Sequence, residues 1–125
     1  MGDGIYRGRY IIEFGFGLDM HGQDVSKAAQ KAVKNAISSS CLCGLSEVLG
    51  LEDFKREVFI KVTVAVSHPE RVDKEAVAAC LPVGTVEVNA VTGGLTIPGL
   101  YVPAFGDTDD SIEAALAAVE VFIAS

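Results

Sequence analysis

Apolar and polar residues alternate along RYIIEFGFG (9–17): Tyr10, Ile12, Phe14 and Phe16 fall on one side, Ile11, Glu13, Gly15 and Gly17 on the other. A period of two is that of a strand, here with one bulky face. From Val25 the period lengthens. Val25, Ala28, Ala29, Ala32, Val33, Ala36 and Ile37 recur at i, i+3 and i+4 and predict a helix to about residue 39, with Lys27, Lys31, Lys34 and Asn35 outward. Asp24 stands at its N-cap, where the carboxylate can accept the unpaired N–H groups of the first turn.

Residues 38–53 read as a connection with one short helical turn near Leu45 to Leu49. REVFIKVTVAVS (56–67) is the clearest strand, with Val58, Ile60, Val62, Val64 and Val66 on one face and Phe59, Lys61, Thr63 and Ala65 on the other. A short helix from about Asp73 to Leu81 follows, bounded by Pro69 and Pro82. GTVEVNAV (84–91) is a third strand. LTIPGL (95–100) is a fourth, at an edge because Pro98 cannot donate to a ladder. FGDTDD (105–110) is a tight acidic loop. Asp110 then caps a last helix with Glu113 at the capping-box position, and Ile112, Ala115, Leu116, Val119, Phe122 and Ile123 form its apolar stripe.

The element order is therefore β-α-β-α-β-β-α, which predicts an α+β two-layer sandwich: a mixed four-stranded sheet with its helices on one face. Residues 1–8 are a Gly-rich flexible N-terminus and 9–125 a single α+β domain. The uncovered sheet face would include Ile11, Phe59, Ala65 and Val91, apolar enough to predict a homo-oligomer.

Composition narrows the function classes. Half of the residues are apolar and the mean hydropathy is +0.37, which fits a packed core rather than disorder. Seventeen acidic against ten basic side chains give a net charge of −7, the wrong sign for a nucleic-acid partner. No run of 18 apolar residues and no charged-then-apolar leader occurs, so neither a membrane span nor a secretory signal is expected. Cys41, Cys43 and Cys80 do not have paired zinc-ligand spacing and read as reduced thiols, with Cys80 in the core and the protein in the cytoplasm.

The stretch that departs from ordinary structure is GFGLDMHGQD (15–24). A dinucleotide fingerprint would need a third glycine where Met20 stands. A P-loop would need Lys-Ser/Thr where Gln23 and Asp24 stand, and Asp19 adds a second charge repelling phosphate. What remains is a polar turn in which Asp19 and His21, two apart, point the same way when extended. An Asp-x-His pair can serve as a general acid/base couple or as two ligands of a divalent metal. Gly15, Gly17, Gly22 and Gln23 would line the same loop and contact a small polar molecule, and Asp107 and Asp109 would join it if the acidic loop lies nearby. Against this stands a purely local reading, in which the glycines form a turn, Asp19 bonds loop amides and Asp24 caps. A second candidate is Thr92-Gly93-Gly94, a hydroxyl ahead of bare backbone N–H groups, with Lys61 mid-strand as a site lysine. A bulge or hairpin explains the same glycines.

Gly15, Gly17, Asp19, His21 and Gly22 match the string GxGxDxHG at every fixed position. In this the chain resembles a small family of uncharacterised bacterial proteins with plant relatives. The likeness continues through QDVSKAAQKAVKNAI, GGLTIPGL and FGDTDDSIEAALAAVEV, from residue 9 to about 121. The resemblance implies a shared fold and a shared site around the motif, but carries no established activity. By element order alone the chain is similar to ferredoxin-like and trimeric chorismate-mutase-like sandwiches. The latter include ring-opening amidohydrolases acting on cyanuric acid and barbiturate, which use a serine in a Ser-Gly-Gly-like turn with a lysine. Thr92-Gly93-Gly94 is the nearest counterpart, with Lys27 or Lys61 as partner and threonine in place of serine. Whether the chain is an enzyme stays open: a small-molecule hydrolase using Asp19 and His21 at a subunit boundary, a non-catalytic small-ligand or metal-binding oligomeric module, and a loop that only closes the fold all fit.

Overall fold

The computed structural model describes residues 6–20, 24–38, 47, 49–81, 84–107 and 109–124. His21, Gly22, Gln23, Cys41 and Cys43, and most of the helical turn expected near Leu45 to Leu49, lie outside the described residues. The elements are β1 (Tyr6–Asp19), α1 (Val25–Ile37), α2 (Phe54–Glu57), β2 (Val58–Val66), α3 (Lys74–Ala78), β3 (Thr85–Thr92), β4 (Leu95–Pro98) and β5 (Ser111–Ala124). They form a mixed α+β structure with one open five-stranded sheet. Along it the order is β1-β5-β2-β3, with β4 also paired to β5. Only β2 and β3 run parallel.

The largest correction concerns the C-terminal segment. Residues 111–124 are not a helix capped by Asp110 and Glu113 but a 14-residue strand at the centre of the sheet. Alanine at position after position lets both periods fit: a 3.6-residue stripe and a strict alternation coexist in SIEAALAAVEVFIA. The alternation is the one that is buried. Glu113, Ala115, Ala117, Val119 and Val121 are covered, with Leu116 exposed between them. Local helix propensity amounts to less than about 1 kcal/mol per residue and yields to tertiary pairing. Here β5 gains two full antiparallel ladders, to β1 from Asp19↔Glu113 to Tyr6↔Ala124 and to β2 from Ala65↔Leu116 to Val58↔Ile123.

Helix α1 lies across β1, β5 and β2. Its buried side, Val25, Ala28, Ala29, Ala32, Val33 and Ala36, meets Val58 through Val66 of β2 and the alternate alanines and valines of β5. Val77 of α3 joins the same core, and Gln30 Nε2 donates to the Ala76 carbonyl at 3.1 Å, tying α1 to α3. Small residues on both sides bring helix and sheet into close contact. A Cβ on Gly15 would lie 2.3 Å from the Ala36 nitrogen, and one on Gly17 would lie 2.4 Å from both the Ala28 oxygen and the Ala32 nitrogen. Neither glycine has positive φ. Both sit inside β1, where their lack of a side chain admits the α1 backbone.

This inverts the expected faces of β1. The glycine face, with the half-buried Ile11, is turned to the helix, and the bulky face of Ile12, Phe14, Phe16 and Leu18 is turned to solvent. Ile11 therefore does not belong to the uncovered face. Phe59 is buried, its ring 6.1 Å from that of Phe122, whereas Ala65 and Val91 lie where expected, opposite one another and next to Leu116.

Pairing of β4 explains Gly93-Gly94. Gly93 N–H donates to Val66 C=O at 2.9 Å as the chain leaves β3 and passes the end of β2 to reach β5. Gly94 has φ of 74°, and a Cβ there would sit 2.3 Å from the Ala114 oxygen. Cys80 is half-buried against the core with a free thiol. Among the described residues no helix is long and apolar enough to cross a membrane.

Candidate functional site

The C-terminal end of β1, the N-terminal ends of α1 and β5, and the segment after β2 meet at one end of the sheet. Asp19, the last residue of β1, is 5% exposed, and its Oδ2 accepts the N–H of Asp24. The bond ties the end of β1 to the start of α1 across the intervening residues. Asp24 in turn accepts Ser26 N–H at 2.8 Å and Lys27 N–H at 3.2 Å, as its N-cap position predicts. Ser26 Oγ takes the Asp73 N–H at 2.8 Å, anchoring the start of α3 at the same place.

Directly across the β1–β5 ladder from Asp19 is Glu113, 4% exposed and on the same face. Its carboxylate accepts Ser67 N–H at 2.8 Å and Ser67 Oγ–H at 2.6 Å. Reading residues 111–124 as a helix hides this residue, and the alternation around it is the signal that exposes it. Asp19 and Glu113 are the two buried carboxylates at this end of the sheet. Among the described residues no three His, Cys, Asp or Glu side chains are grouped so as to hold a metal ion.

Beside Asp19 opens a groove of about 540 Å³. Phe16, Leu18 and Met20 form its apolar wall, and Asp19, Lys31 and Asn35 its polar side. Because β1 is an edge strand, its outward backbone groups lack a neighbouring strand. Two α1 side chains one turn apart serve them: Asn35 Oδ1 accepts Phe16 N–H at 3.0 Å and Lys31 Nζ donates to Leu18 C=O at 2.9 Å. Among the described residues, the Asn35 amide N–H₂ and two further Lys31 N–H donors have no partner. Sequence reading assigned Lys31 and Asn35 only to the outer side of α1. Their role becomes visible once α1 is known to lie on β1.

The other candidates are dispersed. Asp107 is 6% exposed and accepts Val102 N–H at 2.7 Å, which closes the turn around Pro103–Phe105. Asp109 accepts Ser111 N–H at 2.8 Å and Ser111 Oγ–H at 2.6 Å at the entry to β5. The Ser111 hydroxyl, then its amide, hold the Asp109 carboxyl below its ordinary value of 3.8. A depressed native value means that the associated stabilisation is present above about 3.8 and is lost as pH falls through the lowered native value. A carboxyl-carbon NMR titration should therefore place the Asp109 midpoint below 3.8, and Ser111→Ala should move it upward. A midpoint at or above 3.8 in the unmodified protein would contradict the bonding described. Thr92 ends β3, exposed, with the adjacent Gly93 N–H already donated to Val66. Lys61 is half-buried on the uncovered sheet face between Glu120 and Glu87 in register. It is five residues before Val66, the partner of Thr92, hence roughly 16 Å from it along the sheet. The structure does not bring Thr92 and Lys61 together.

Residues 9–121 match the model of a conserved hypothetical protein family, Lin0512_fam. The chain belongs to that family. Asp19, Lys31, Asn35 and Glu113 all fall within the span that Lin0512_fam covers. A solved structure similar to this member is that of an FtsZ-like protein of unknown function from Nostoc punctiforme PCC 73102, with 43% identity and a TM-score of 0.87. The likeness covers 98% of this chain and 100% of that one. No curated protein matches the chain. Function within Lin0512_fam is not established by these relationships, so it rests on the chemistry of the site.

Proposed function

We propose that the protein binds a small polar molecule bearing carbonyl or carboxylate oxygens in the groove at the end of β1. The carrying observation is the meeting of an apolar wall, Phe16, Leu18 and Met20, with the donors of Lys31 and Asn35 and the buried carboxylate of Asp19. Such a mixture, mostly apolar with a few placed polar groups, is what orients a small ligand. Lys31 and Asn35 are themselves fixed by their bonds to β1, so their spare donors are presented in one arrangement.

Hydrolysis of that molecule is the second reading. In it His21, two residues after Asp19, is the proton carrier or a metal ligand and Asp19 its orienting or ligating partner. The opposition of Asp19 and Glu113 across the strand pair supports it, since it sets two buried carboxylates at the end of β1, where Asp19 stands two positions before His21 in the sequence. The finer architecture belongs to the same proposal: a two-layer sandwich, with α1 over one face of the sheet, acting in the cytoplasm, in keeping with the free thiol of Cys80.

Saturation-transfer NMR with a panel of small carboxylates and amides tests the reading. Binding should be saturable, and Lys31→Ala and Asn35→Ala should each weaken it about tenfold, the worth of one good hydrogen bond. Asp19→Asn and His21→Ala should then abolish turnover of any compound that is converted. Unchanged binding and activity in all four variants, with only a lowered melting temperature, would leave the loop as a structural closure and remove the proposal.

A further inference from the structure

Among the described residues, no element of this chain covers the middle of the sheet face turned away from α1. Phe14 is 72% exposed, Phe16 59%, Leu116 55% and Leu95 61%, and the register places them in contiguous rows. Phe16 is opposite Leu116, which is opposite Ala65, which is opposite Val91. Tyr10, Ile12, Leu18, Val91 and Ile97 on the same face are each 39–47% exposed. Taking roughly 200 Å² for a large side chain, the apolar exposure of the nine together is on the order of 900 Å². That compares with about 800 Å² per partner in a standard stable interface, and patches of this size on single chains mark interaction sites.

We infer that this face is the contact between two copies of the chain, packed sheet against sheet about a two-fold axis.

Three observations select a second copy as the occupant. The first is self-complementary shape. The patch holds protruding rings, Phe14 and Phe16, together with a hollow of about 200 Å³ beside Phe14, lined further by Thr63, Ala65, Leu116 and Ala118. An isologous contact needs knob and hole on the same surface, because each copy offers both. A phenyl ring of one copy fits the small-residue hollow of the other. The second is charge. The chain as a whole carries −7, yet this face is balanced. Arg9 bonds Glu120 at 2.9 Å, and Lys61 lies in register between Glu120 and Glu87. Like copies can therefore meet here without the net repulsion they would feel elsewhere, whereas a strongly basic partner would find no excess of acid. The Asn89 side-chain amide above all holds the Glu87 carboxyl below its ordinary range, with the charge of Lys61 a lesser contribution, so the acidic end of this row stays ionised near neutral pH. The third is geometry. The sheet is open, and sheets with one bare apolar face pack against another sheet at about 10 Å separation.

The test is sedimentation equilibrium on the full chain, with Phe14→Glu and Phe16→Glu as face variants. Leu49→Glu, outside the sheet, serves as control. The wild type and the control should have twice the 13.1 kDa chain mass. Each face variant should raise the dissociation constant about a hundredfold or more, as truncating a central aromatic anchor does. Its far-UV circular dichroism should be unchanged, since both side chains are mostly exposed in the single chain. Phe14→Leu, which keeps the patch apolar, should remain associated. A wild type that sediments at 13.1 kDa at 100 µM overturns the inference. So does an oligomer whose mass the face variants leave unchanged, which would place the contact elsewhere. Binding of a monomeric wild type to zwitterionic phosphatidylcholine vesicles, lost in Phe14→Glu, would assign the face to a membrane surface and equally overturn it. Phe14 lies outside the groove, so the Phe14→Glu result does not depend on ligand binding there.

Discussion

Replacing Gly17 by alanine should destabilise the protein by about 3 kcal/mol, at the upper end of what overpacking costs, and Gly15→Ala should do nearly as much. Chain entropy and strand propensity alone would give the opposite sign, since alanine for glycine inside a strand is worth roughly 0.5–1 kcal/mol in favour of folding. The steric term is larger because the new methyl would meet backbone. At Gly17 it would sit 2.4 Å from the Ala28 oxygen and the Ala32 nitrogen and 2.6 Å from the Lys31 Cβ. No rotamer change relieves contacts with a helix backbone, so α1 must lift from β1. Lifting it unseats Ala28, Ala29 and Ala32, each fully buried. Lys31 and Asn35 would also lose their bonds to Leu18 and Phe16, so the groove should loosen together with the core. Urea unfolding of the two single variants checks this. A Gly17→Ala protein within about 0.5 kcal/mol of the wild type would mean that helix and strand are not in the contact described. Domains of this size are stable by only about 5–15 kcal/mol, so the double variant should be largely unfolded at 37 °C.

Glu113→Ala should cost about 3 kcal/mol, and Glu113→Gln about half of that, because hydrogen bonds to a charged group contribute roughly 1.5–3 kcal/mol and a buried donor left alone costs as much again. The carboxylate receives both the N–H and the hydroxyl of Ser67. Glutamine keeps one acceptor, and alanine keeps none. The test also separates the two readings of residues 111–124. In a capped surface helix Glu113 would be worth well under 1 kcal/mol, whereas on the buried side of a central strand it holds the exit of β2. Chemical denaturation of the three proteins, with Ser67→Ala as the partner in a double-mutant cycle, measures the coupling directly. A Glu113→Ala cost below about 1 kcal/mol would contradict the strand.

The error at residues 111–124 and the inverted faces of β1 share a cause. Side-chain period identifies an element by one buried stripe or face, and it fails when small residues are buried because something large lies against them. In β1 the bulky alternation Tyr10, Ile12, Phe14, Phe16 looks like the core side, yet the covered side is Gly15 and Gly17. In β5 the alanines read as helix formers, yet Ala115 and Ala117 are small because α1 crosses them. The same ambiguity concealed Glu113, and placing Lys31 and Asn35 on a solvent face concealed their bonds to the edge of β1.

By itself the sequence determined what depends on neighbours along the chain. The period of β2 and α1, the cap at Asp24 and the edge position of the Pro98 segment all follow from spacing and local chemistry. Tertiary structure alone decided which face of β1 is covered, that residues 111–124 are the central strand, and that Asp19 stands opposite Glu113. The physical reason is that these are choices between conformations of nearly equal local energy. They are settled by two ladders of backbone hydrogen bonds and by the close seating of one helix, between residues separated by up to 118 positions in the chain.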